Sequence, residues 1–133
     1  MTKILFSPGK YIQGPGEINN VGKYAAGLGK KALILISAGG FRRNGQDILD
    51  GFETEDCTCE FEMFNGECSY NEIKRISALV EEKQCDLIIG VGGGKIFDTA
   101  KAVAYYEKTP VMICPTIAST DAPCSALSVI YTD

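Results

Sequence analysis

Two short segments carry the residue types that can do chemistry. The first, VGGGKIFDTAK at 91–101, sets three consecutive glycines between an apolar run and a helix-like stretch. Glycines in such a turn let backbone approach a ligand with no Cβ in the way. A helix beginning at about Gly94 or Lys95 directs its unpaired N–H groups into the same space. That is a seat for phosphate or pyrophosphate, and Lys95 adds a positive charge. Asp98, read as part of the first helical turn, suits the helix dipole and can accept a hydrogen bond from a ligand hydroxyl or amide. The run is neither a GxGxxG fingerprint nor a Walker A loop. The same residues therefore also describe a plain tight turn with Lys95 solvated and Asp98 capping; the strand-turn-helix setting favours phosphate. Thr99 and Lys101 read as helix surface or packing positions.

The second segment, PTIASTDAPCS at 115–125, also follows a strand-like run. Thr116, Ser119, Thr120 and Ser125 offer hydroxyls for phosphate, ribose or amide groups. Asp121 can accept from an alcohol, and acts as a base only if its pKa is raised. Asp121 and Ser119 can equally organise their own loop. In a parallel sheet both segments lie at strand carboxyl ends, where ligand crevices form.

The elements that must hold these loops follow from pattern. A strand and tight turn span 4–14, a modest helix 17–28, and a buried strand 32–37. Between 38 and 56 the pattern gives a turn at Gly39-Gly40, a short helix over 46–52 and a solvated acidic loop. Residues 59–64 alternate as a strand near an edge. Ser69 and Glu72 have capping-box spacing before Ile73, Ile76, Leu79 and Val80, which share one helical face. A strand at 86–91 leads to the glycines, then a helix at 95–107 with Phe97, Ala100 and Ala104 inward. Strands at 110–115 and 126–131 follow. Short apolar strands alternating with helices make a parallel, layered α/β domain. The last strand runs to a Tyr-Thr-Asp turn signal at the end of the sequence and needs a partner or cover for its edge.

Composition narrows the chemistry further. The 133 residues carry a formal charge of −4 and no histidine. An acidic balance gives no general attraction for nucleic acid or an anionic membrane, and the missing imidazole removes His-based zinc sites, triads and acid–base pairs. No signal peptide is evident, and the apolar run at 32–37 is far too short to span a bilayer, so a cytoplasmic location with no membrane association is expected. The six cysteines form no CxxC pair. They read as reduced, structural or incidental thiols, with Cys57 and Cys59 able to hold a metal only with ligands from elsewhere.

Four stretches, SPGKYIQGPGEI at 7–18, GECSYNEI at 66–73, GVGGGKIFDTAKA at 90–102 and PTIASTDAPCSALSVIYTD at 115–133, together resemble the iron-containing, or metal-dependent, alcohol dehydrogenase family. Within it they are most similar to the glycerol dehydrogenase branch. The resemblance implies a Rossmann-like parallel sheet with helices on both faces, forming an N-terminal nucleotide-binding domain over residues 1–133. The family's final hairpin and helical, metal-binding C-terminal domain would be missing. It implies oxidation of glycerol to dihydroxyacetone with NAD, glycerol or a similar small polyol being the partner, and a zinc or other divalent ion that only a full-length protein would hold. Gly94, Lys95 and Asp98 would contact the dinucleotide, and Thr116 and Ser119 would line its site. Ser125, Leu127 and Tyr131 would surround the nicotinamide, while Asp121 would orient the substrate hydroxyls.

Two departures bear on that picture. Where the branch usually carries an Asp after the strand at 32–36, to hold the adenosine ribose, this sequence reads ISAGGF, with Ser37 and Ala38. NADP therefore stays open beside NAD: Arg42 and Arg43 could meet a 2′-phosphate, or simply be solvated. The family's metal ligands, one Asp and two His, would lie beyond this sequence, leaving a chain without its Lewis acid that carries the cofactor half alone. A face that normally packs on the helical domain would be exposed, predicting a homo-oligomer or a separate helical partner. A non-catalytic nucleotide-binding or interaction domain is the alternative reading.

Overall fold

The computed structural model describes residues 7–13, 17–115 and 126–131. In chain order the elements are β1 (Ser7–Gln13), a 3₁₀ turn (Glu17–Asn20), α1 (Val21–Ala26), β2 (Lys31–Ile36), α2 (Ala38–Phe52) and β3 (Thr58–Met63). They continue with α3 (Tyr70–Lys83), β4 (Leu87–Gly92), α4 (Gly94–Glu107), β5 (Val111–Pro115) and β6 (Ala126–Tyr131). The strands form one sheet in the order β1-β6-β5-β4-β2-β3.

The parallel part is β5-β4-β2-β3, in which β2 pairs with both β3 and β4. Each of these strands except the edge strand β3 is apolar on both faces, as a strand covered by two helical layers must be. The period-two alternation sorts them cleanly. Ala32, Ile34 and Ile36 of β2 face one layer with Val21, Ala25, Ile48 and Phe52 from α1 and α2. Leu33 and Leu35 face the other, with Ile76 and Val80 of α3 and Ile96, Ala100, Val103 and Ala104 of α4. Gly90 on β4 lets α4 approach closely, since a Cβ there would stand 3.1 Å from the Cβ of Ala100. Helices thus cover both faces, as the sequence pattern implies.

Two expectations change. The turn at Gly39-Gly40 and the short helix at 46–52 are replaced by one 15-residue helix. Ser37, extended, caps it by accepting the Gly40 N–H at 3.0 Å, and the Phe41 N–H on the Ser37 carbonyl at 2.8 Å opens its ladder. Its buried positions fall at 40, 44, 45, 48 and 52, of which glycine and asparagine take three, so apolar periodicity could not announce it. The second change is in the sheet: β6 lies between β5 and β1, antiparallel to both, so the partner its edge needs comes from within the chain. The sheet is therefore mixed, with four parallel strands and an antiparallel pair at one side.

Candidate functional site

Three strand-to-helix turns lie at the carboxyl edge of the parallel strands, following β2, β3 and β4. The chain leaves β2 into α2 on one face of the sheet and β4 into α4 on the other. Because β2 and β4 are direct parallel neighbours, from Ala32 opposite Leu87 to Ile36 opposite Val91, their diverging connections open a crevice between them. Ligands of open α/β sheets bind at that switch point.

The β4–α4 turn is built for close approach. Gly92 has φ +144°, a backbone region hostile to side chains, and a Cβ there would stand 2.8 Å from the Ile96 side chain. Beyond it, no atom of the described residues lies within 4 Å of where Cβ atoms on Gly93 or Gly94 would sit. Gly93 is the N-cap residue and gives no side-chain hydrogen bond, and no acidic residue occupies the first turn. The first backbone N–H groups of a helix have no intrahelical partner. Those of α4 thus face an open cradle with the positive end of the dipole behind them, the donor set that a phosphate or pyrophosphate needs.

Gly94 and Lys95 stand at this opening as the sequence predicts, and both are exposed. Lys95 Nζ pairs with the Glu67 carboxylate from the β3–α3 turn, at 2.8 and 3.1 Å. Sequence reasoning missed Glu67, since 28 residues separate the partners; an acid in a loop at a neighbouring strand end was the one available signal. The pair is about two-thirds exposed on each side and is worth little to stability, so Lys95 can turn to another anion at small cost. Asp98 corrects its assignment: α4 starts at Gly94, so Asp98 opens the second turn, exposed and outside the capping positions. Thr99 is buried, its hydroxyl donating to the Lys95 carbonyl at 2.9 Å, which confirms a packing role.

The β3–α3 turn has the opposite character. Ser69 caps α3 by accepting the Glu72 N–H at 3.1 Å, one half of the capping box. The Glu72 side chain does not return to Ser69. Buried, it accepts from the Asn65 N–H at 3.1 Å and from Arg75 at 2.8 Å, while Arg75 also reaches Glu62 and the Met63 carbonyl. The Arg75 hydrogen bonds hold the Glu72 carboxyl below its ordinary range against the desolvation that would raise it.

β5 pairs with β4 so that Pro115 lies opposite Gly92, delivering the chain beside the glycine turn. Thr116, Ser119, Asp121 and Ser125 lie outside the described residues. Leu127 and Tyr131 belong to β6, in register with Ile12 and Ser7 of β1.

Metal does not fit what is described: no group of three or more His, Cys, Asp or Glu side chains comes together among the described residues. Burial pushes Cys59 up to about 11, and Cys57 and Cys85 are raised chiefly by the same cause, so these thiols stay protonated and structural. Cys57, Cys59, Cys68 and Cys85 are free thiols, as the sequence leads one to expect. No helix among the described residues is long and apolar enough to cross a membrane.

Comparison with known proteins agrees with this geometry. The glycerol dehydrogenase of Citrobacter freundii is 47% identical over 133 residues, matching the whole of this chain and 36% of its own length. That of Thermotoga maritima is 49% identical, over 99% of this chain and 35% of its own. The crystal structure of a probable glycerol dehydrogenase from Sinorhizobium meliloti 1021 superposes with a TM-score of 0.76 at 44% identity, over 92% of this chain and 33% of that one. The chain thus spans about a third of the length of these relatives. The family model for iron-containing alcohol dehydrogenase matches residues 8–133, taking in both the crevice strands and the glycine turn, and the chain belongs to that family.

Proposed function

We propose that this chain forms the cofactor-binding half of an alcohol oxidoreductase that oxidises glycerol to dihydroxyacetone, or a similar small polyol to its carbonyl product, with a nicotinamide dinucleotide. One observation carries the reading: an uncapped, acid-free helix start stands open at the crevice between β2 and β4. The N–H groups from Gly94 onward and the Lys95 ammonium hold the pyrophosphate there. Asp98, exposed one turn further on, accepts from a ligand hydroxyl or amide. Thr116 and Ser119 line the dinucleotide, Ser125, Leu127 and Tyr131 border its nicotinamide end, and Asp121 holds the polyol hydroxyls. Bound in this way, the nicotinamide supplies the hydride acceptor. A helical half, in the same or another polypeptide, would complete the substrate side.

Calorimetric titration with NAD and NADP separately, without added metal, tests this reading. Saturable binding, weakened by Lys95→Ala or Asp98→Ala, is the expected result. A sample that melts cooperatively yet binds neither dinucleotide would reduce the chain to an interaction module.

A further inference from the structure

We propose that the β2–α2 turn is a seat for the 2′-phosphate of an adenosine, so that the chain prefers NADP(H) to NAD(H). This deepens the function above and rests on it. With its pyrophosphate at α4, a dinucleotide extends its adenosine across the crevice to the end of the neighbouring parallel strand. There a carboxylate selects a free 2′-hydroxyl, whereas arginine accommodates a 2′-phosphate. The neighbouring strand is β2.

Beyond Ile36 the chain reads Ser37, Ala38, Gly39, Gly40, Phe41, Arg42, Arg43, and the first carboxylate is Asp47. The first turn of α2 contains no acid. Two guanidinium groups instead fold back over that turn. Arg43 Nη1 comes within 3.2 Å, and Arg42 Nη2 within 3.8 Å, of the point where a Cβ on Gly39 would stand. Arg43 has a further interaction of its own, but Arg42 is exposed and makes no ion pair among the described residues. Ser37 Oγ accepts from the Gly40 N–H, which leaves its hydroxyl proton to donate.

Two cations and a hydroxyl donor around a glycine match a phosphate dianion. A ribose hydroxyl is neutral and offers one oxygen to the same set, where a phosphate offers a dianion with three. Guanidinium–phosphate bonds are charge-assisted and forked, so the added phosphate changes affinity far more than any hydroxyl contact would.

The test is calorimetric titration of the 133-residue chain with NADP⁺, NAD⁺, 2′,5′-ADP and 5′-AMP at one ionic strength. NADP⁺ is expected to bind about tenfold to a hundredfold more tightly than NAD⁺, with a similar ratio for 2′,5′-ADP over 5′-AMP. Arg42→Ala with Arg43→Ala removes that preference by weakening NADP⁺ far more than NAD⁺; Ala38→Asp turns it towards NAD⁺. Neither arginine is in the buried core, so these variants fold. Equal or tighter binding of NAD⁺ overturns the proposal and leaves the function standing. A preference for NADP⁺ that survives loss of both arginines overturns their assignment. A folded chain that binds neither dinucleotide overturns the function, and this proposal with it.

Discussion

The starts of α3 and α4 sit on the same edge of one sheet and solve the same problem in opposite ways. Each leaves a turn of backbone N–H groups to satisfy. At α3 the protein meets that need itself, with Ser69 capping Glu72 and the Glu72 carboxylate tying in Asn65 and Arg75. At α4 the cap residue is Gly93, no acid stands in the first turn, and among the described residues no atom fills the space over Gly93 and Gly94. A terminus closed by its own side chains is a structural joint. One left open beside a crevice is where a ligand belongs.

Breaking the closed joint has the largest expected effect. Glu72→Ala leaves the Asn65 N–H without its acceptor and Arg75 with Glu62 and Met63 alone, and costs about 2–3 kcal/mol, read as a lower denaturation midpoint in urea, with dinucleotide affinity little changed. Gly92→Ala comes next, forcing a side chain into φ +144° and against Ile96. It costs about 2 kcal/mol in the same assay and also weakens binding, because the turn must shift.

Lys95→Ala separates the two ends most sharply. Affinity for the dinucleotide falls about tenfold by calorimetry, while the melting temperature stays put because the pair with Glu67 is exposed. Glu67→Gln works in the other direction and by less. It frees Lys95 from a competing carboxylate and tightens binding about twofold to threefold, an effect that fades as salt rises.

Acid sharpens the contrast as well. The folded pKa of Glu72 lies below its unfolded value of about 4.3, so its stabilisation is present above that pH and is lost as pH falls through the folded value. Melting temperature should therefore drop below about pH 4, and Glu72→Gln should flatten that part of the profile. Glu107 opposes it: burial first, and the neighbouring Glu81 second, raise its carboxyl, so its protonation favours the fold as pH falls.

The sequence made the layers legible where each residue reports its own burial. The apolar runs of β2 and β4 announce strands covered on both faces, and Ile73, Ile76 and Val80 announce α3. It failed at α2, whose buried face includes Gly40, Asn44 and Gly45, residues that fit there by being small or polar rather than by being apolar. It could not foresee the pairing of Ser7 with Tyr131 across nearly the whole chain, because register between distant strands leaves no local mark. Strand-turn-helix order placed Gly94 and Lys95 at the start of α4. The Glu67 contact depends on which turns the topology makes neighbours, and composition does not carry that.

The most direct test follows the backbone amides of the isotope-labelled chain by NMR while NADP⁺ is added. The expected result is saturable shifts of the Gly94, Lys95 and Ile96 amides, with the Asn71 and Glu72 amides of α3 left in place. Shifts centred on α3, or a folded chain whose α4 amides do not respond at saturating dinucleotide, would contradict the assignment of the open terminus as the binding site.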